Sequence, residues 1–163
     1  MGYFKQVWQG GIRMTKKHIL LIDDEESFTH LLRVNLEATG RYEVRVENRG
    51  AWGLVAAREF RPDLILLDIV MPDLDGSQLA GQIQEDAHLK GTPIVYLTAI
   101  VSRGETHTHG GMIGENAFLA KPVSTNEVIA CIEKYVGAGG EALPSLKHPN
   151  AIRRRDRAYG EYA

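Results

Sequence analysis

Leu64-Ile65-Leu66-Leu67-Asp68-Ile69-Val70-Met71-Pro72-Asp73-Leu74-Asp75-Gly76 sets the fold of this chain. Four apolar residues of strand length run straight into an aspartate, and the proline and glycine beyond it mark a loop. Because the run is continuous rather than alternating, it reads as a strand buried on both faces, the pattern of a parallel sheet covered by helices. Ile19-Leu20-Leu21-Ile22 and Ile94-Val95-Tyr96-Leu97 repeat the pattern, and Ala117-Phe118-Leu119-Ala120 gives a weaker version. Tyr42 to Glu47 alternates and belongs at a sheet edge.

Helical patterns fall between these runs. Phe28, Leu31, Leu32 and Leu36 form one apolar stripe, with Gly40 placed to end the helix. Trp52, Val55, Ala56 and Phe60 form a second, stopped by Pro62. Leu79 and Ile83 mark a third after Gly76. Val128, Cys131, Ile132 and Tyr135 mark another, with Ser124 or Thr125 as N-cap. Val101 to Ile113 is a helix by position, yet its three glycines and its Thr, Ser, His and Val residues carry a propensity deficit of roughly 5 to 6 kcal/mol, so an irregular fourth helix is expected there. Strands alternating with helices imply right-handed βαβ units and an open, doubly wound α/β sheet.

At 163 residues the chain has room for one domain with a proper core. No run of about 18 apolar residues offers a membrane span, and the first fifteen residues lack the pattern of a secretory signal. A lone cysteine, Cys131, makes no internal disulfide and fits a reducing compartment. Residues 1–15 read as an N-terminal extension, 16–138 as the folded domain, and 139–163 as a basic, disordered tail without room for an output domain. The net charge of −2 hides an asymmetry: from His18 to Val136 there are 10 Lys and Arg against 18 Asp and Glu, whereas the flanks hold 9 against 3. An acidic body argues against nucleic-acid binding by the folded domain, and Arg153-Arg154-Arg155 reads as a solvated tail.

The residues that follow each buried strand carry the chemistry. The strands end in Asp23-Asp24, Asp68, Thr98 and Lys121, and the carboxyl ends of an open parallel sheet form one ligand-binding edge. Carboxylates about 4 Å apart oppose one another by roughly 4 kcal/mol at an effective dielectric near 20. A cation therefore belongs there, and hard oxygens without His or Cys suit Mg²⁺. Lys121 adds a point charge suited to phosphate, and Thr98 a hydroxyl.

Ile22-Asp23-Asp24-Glu25, the quoted stretch from Leu66 to Gly76, Thr98-Ala99 and Phe118-Leu119-Ala120-Lys121-Pro122 together resemble response-regulator receiver domains, over about residues 17 to 137. The resemblance implies a flavodoxin-like five-stranded parallel sheet in the order 2-1-3-4-5. It makes Asp68 the phosphoacceptor, with Lys121 and Thr98 assisting. Mg²⁺ would be held by Asp24, Asp68 and the Val70 carbonyl, with Asp23 acting largely through water. Thr98 and Phe118 would be the switch pair, and the bond before Pro122 would be cis. A stand-alone cytoplasmic regulator is implied, no multi-turnover enzyme, with a sensor histidine kinase or histidine phosphotransfer protein as donor and a downstream protein as target. Val70 and Ile100 would flank the hydrolytic water, and neither can orient it.

Other features have plainer readings. His107-x-His109 is a loop, Cys131 a packed side chain, and Trp52 and Phe60 are core. The rivals are a degenerate receiver that docks partners without phosphorylation and a doubly wound enzyme such as a flavin protein or small-molecule phosphotransferase. All five polar positions being filled argues against the first. The second lacks a Gly-rich phosphate loop after strand one.

Overall fold

A computed structural model describes residues 15–99, 112–113 and 116–137. In chain order the elements are β1 (Lys17–Ile22), α1 (Glu26–Ala38), β2 (Tyr42–Glu47), α2 (Gly50–Phe60), β3 (Leu64–Asp68), α3 (Gly76–Glu85), β4 (Ile94–Thr98), β5 (Met112–Ile113), β6 (Asn116–Ala120) and α4 (Thr125–Val136). The sheet runs β2-β1-β3-β4-β6-β5. Its five long strands are parallel, in the expected order 2-1-3-4-5, and the two-residue β5 adds an antiparallel pair, Met112 opposite Ala117 and Ile113 opposite Asn116. The expected fourth helix lies outside the described residues except for Met112 and Ile113, which are strand rather than helix. The segments 1–14 and 138–163, the arginine run and His107-x-His109 also lie outside them.

The continuous apolar runs are central because both of their faces are covered. On one face Ile19, Leu21, Leu64, Leu66, Val95 and Leu97 pack with Leu32 and Leu36 of α1 and Val128 and Ile132 of α4. On the other, Leu20, Ile22, Ile65 and Leu67 pack with α2 and α3. Alternation by two along each strand sends neighbours to opposite cores. Tyr42–Glu47 lies at the edge, as its alternation predicts.

Three expected core residues face water instead: Leu31 is 61% exposed, Trp52 54% and Val55 40%. Leu31 lies about 100° of helical rotation from Leu32, off the face that buries Thr29, Leu32 and Leu36. In α2 the buried face is Gly50, Gly53, Ala56 and Ala57, which brings the helix axis close and turns the larger residues outward. A Cβ on Gly53 would stand 2.5 Å from Leu79 Cδ2. Phe60 is partly buried and stacks on His18, with centroids 4.8 Å apart. Gly40 follows α1 with φ 73°, and Ser124 caps α4 in a reciprocal capping box with Glu127. Among the described residues no helix is long and apolar enough to cross a membrane.

Candidate functional site

Parallel pairing brings the strand ends to one edge. Asp68 is in register with Leu97, and Thr98 with Ala120, so Asp68, Thr98 and Lys121 come from three adjacent strands. Lys121 N donates to Thr98 O at 2.9 Å, and the Lys121-Pro122 bond is cis. Asp23 leaves β1 fully buried, and Asp68 is 7% exposed, whereas Asp24 is exposed. One carboxylate oxygen from each of the three lies within 4.8 Å of the others. Like charges at that separation repel by about 3.5 kcal/mol per pair at an effective dielectric near 20.

Lys121 offsets part of this repulsion. Its Nζ stands 2.5 Å from Asp23 Oδ2, 3.3 Å from Asp68 Oδ2 and 3.9 Å from Glu25 Oε2, and lies 4.7 Å from the centroid of the Phe28 ring. Burial is the largest influence on its ammonium and opposes the charge, but the contacts with Asp23 and Asp68 together outweigh it and raise the pKa. Burial also raises the Asp23 carboxyl, against the lowering effects of Lys121 and of the Glu25 N–H, which donates to Oδ1 at 2.9 Å. Lys121 Nζ is the charge partner of Asp23 Oδ2, and no other polar group among the described residues reaches that buried oxygen.

The backbone near Asp68 is held tightly. Val70 N donates to Asp68 Oδ1 at 3.1 Å, and Gly76 N donates to Ile69 O at 2.8 Å. A Cβ on Gly76 would stand 2.1 Å from the Asp68 carbonyl oxygen, so the start of α3 packs directly on the strand end. Asp75 caps α3 through Ser77 N at 2.7 Å. Thr98 is fully buried at the end of β4, and Phe118, partly buried in register with Tyr96, stacks on its ring at 5.1 Å. Val70 is 59% exposed, and Ile100 lies outside the described residues. The Cys131 thiol is pushed up to about 11 by burial, which suits a packed side chain rather than a nucleophile.

Some supporting residues carry no functional signal in the sequence. Asn48 at the end of β2 donates to Asp23 O at 2.6 Å and Thr29 Oγ1 at 3.0 Å, tying the β1–α1 loop to the sheet. Phe28 carried an apolar helix signal, and nothing marked it as the ring beneath Lys121. Asp73 reaches α2, a contact that only the fold reveals.

An open parallel sheet with carboxylates, a threonine and a lysine at its carboxyl edge defines a flavodoxin-like α/β protein whose chemistry sits at that edge. A family model of the response regulator receiver domain matches residues 19–133. The polar-differentiation response regulator DivK of Brucella anthropi is 33% identical over 123 residues, covering 74% of this chain and 97% of that protein. The chemotaxis protein CheY4 of Vibrio cholerae superposes with a TM-score of 0.63 at 27% identity, covering 74% of this chain and 98% of that one. The receiver domain of a Pseudomonas aeruginosa sensor histidine kinase, solved with a magnesium ion coordinated in its active-site cleft, gives 0.64 at 28%, covering 76% and 100%. This chain belongs to the response regulator receiver domain family. Receiver domains are signalling domains of two-component systems rather than classical enzymes. They bind Mg²⁺ at an acidic pocket and interact with histidine kinases or phosphotransfer proteins and with downstream targets.

Proposed function

We propose that this protein is a cytoplasmic receiver that accepts a phosphoryl group on Asp68 from a phosphohistidine donor. The supporting observation is Asp68 itself, buried at the end of a central strand, with one oxygen held by Val70 N and the other facing Lys121 Nζ at 3.3 Å. The working unit would be residues 16–138, flanked by an extension and a basic tail.

The donor set suits Mg²⁺. Asp23, Asp24 and Asp68 offer hard oxygens, and together they carry more negative charge than the Lys121 ammonium offsets. Asp24, Asp68 and the Val70 carbonyl would hold the ion, with Asp23 acting largely through water; it would supply charge neutralisation of the phosphoryl oxygens. An oxygen of Asp68 attacks phosphorus in line, an O–P bond forms, and the P–N bond breaks with its electron pair leaving on the imidazole. The protein contributes positioning and charge: Lys121 neutralises developing charge and Thr98 turns its hydroxyl to the phosphoryl group. Phe118 then moves into the space that Thr98 vacates, which changes the surface read by a downstream protein. Acetyl phosphate with intact mass spectrometry tests the assignment. A Mg²⁺-dependent gain of one phosphoryl group, lost in Asp68→Ala, is expected. Equal labelling of the variant would sink the assignment, and no gain in the wild type would favour a degenerate receiver.

A further inference from the structure

The loop from Ile69 to Asp75 is strapped to α2 by Asp73. Arg49, at the N-cap of α2, makes no side-chain cap, and the first N–H groups of a helix need partners from outside it. Asp73 accepts from Gly50 N at 3.2 Å through Oδ1 and from Ala51 N at 3.0 Å through Oδ2. The Ala51 bond is the chief reason the Asp73 carboxyl lies below its ordinary value. The apolar side of the junction is equally close, since a Cβ on Gly50 would stand 2.9 Å from both Leu74 Cβ and Met71 Cε. At its other end the loop is fixed by Gly76 N on Ile69 O. Val70 lies between the two fastenings.

We propose that Asp73 is a positioning residue for the cation site: by clamping the loop onto α2 it sets where the Val70 carbonyl is presented beside Asp23, Asp24 and Asp68. Cation binding and the closed α2 terminus therefore favour each other. The proposal rests on the Mg²⁺ reading above. A helix cap alone would contribute stability without altering cation affinity, and the two roles separate on that point.

Calorimetric Mg²⁺ titration of the full chain tests this with wild type, Asp73→Ala and Asp86→Ala. Asp86 is the control because it loses a carboxylate bonded to a backbone N–H and to Arg58, at the opposite end of α3. Asp73→Ala should weaken binding about tenfold, the low end for partners that orient metal ligands, and Asp86→Ala should leave it unchanged. Coupling is reciprocal, so saturating Mg²⁺ should slow amide exchange at Gly50 and Ala51 in the wild type. That measurement needs no variant and holds if Asp73→Ala fails to fold. Unchanged affinity in a folded Asp73→Ala, or unchanged exchange at both amides, overturns the proposal alone. A wild type that binds no Mg²⁺ overturns the functional reading and the proposal with it.

Discussion

Lys121→Met removes the ammonium and keeps an unbranched stem beside Phe28. Asp23, fully buried, and Asp68, 7% exposed, then lose the cation that the structure sets against both. Removing one partner of a buried ion pair costs roughly 3–5 kcal/mol, because the other charge is left uncompensated. The Lys121 side chain is 15% exposed and Asp23 keeps its bond from Glu25 N, so about 3 kcal/mol is expected at pH 7, the lower end of that range. Domains are typically stable by about 5–15 kcal/mol, and the variant should still fold. The loss depends on pH with a definite sign. Burial already holds the Asp23 carboxyl above 3.8 while Lys121 pulls it down, so without Lys121 it rises further. A raised acid is protonated in the folded state before the unfolded one, which favours folding at low pH and ceases to as pH rises through the folded value. The deficit should therefore vanish as pH falls toward the ordinary carboxyl value and grow as pH rises above it, and Mg²⁺ should restore about 2.7 kcal/mol at a hundredfold excess over its dissociation constant. Urea melts at pH 7 and near the ordinary carboxyl value, with and without Mg²⁺, read this out. A midpoint equal to wild type at pH 7 without metal would refute the account.

Gly76→Ala forces a Cβ to within 2.1 Å of a backbone oxygen and 2.8 Å of Ile69 Cα; neither can yield cheaply, so thermal melts should show a loss of about 3 kcal/mol, the upper end for overpacking. Val70→Asn places a water-orienting amide at an exposed position two residues from Asp68, and the phosphorylated form should decay faster by mass spectrometry; an unchanged rate would show that water access is set elsewhere.

The central strands were legible because residues buried on two faces must be apolar without interruption, and the edge strand because one of its faces is not. The acidic edge was legible for the same reason: Asp23, Asp68 and Thr98 interrupt apolar runs where a parallel sheet places its strand ends. Periodicity failed at Trp52 and Val55. It rewards large apolar residues, whereas α2 buries glycine and alanine so as to lie close to Leu79 and Ile22. Contacts between distant segments were invisible as well. Asn48 on Asp23, Phe28 on Lys121 and Asp73 on α2 pair residues whose local sequence signals say cap, core and turn.

The charges at the strand edge are unevenly matched. Asp23, Asp24 and Asp68 bring three negative charges against the one positive charge of Lys121, and Lys121 sits closer to Asp23 than to Asp68. Asp23 has the stronger claim, since it is fully buried and its Oδ2 has Lys121 as its charge partner at 2.5 Å. Under the proposed function, phosphorylation adds negative charge at Asp68 and draws Lys121 toward it. Lys121 can lean that way as Asp23 gains a proton or another counter-charge, because a buried carboxylate left alone costs several kcal/mol. A divalent cation among the three carboxylates would meet that need, so on the proposed function the burial of Asp23 favours Mg²⁺ as well as the phosphoryl group does. Phe28 fits the same account: its ring face, 4.7 Å from the ammonium, attracts that charge without competing as a hydrogen-bond acceptor, so it favours the ammonium without binding it to either carboxylate.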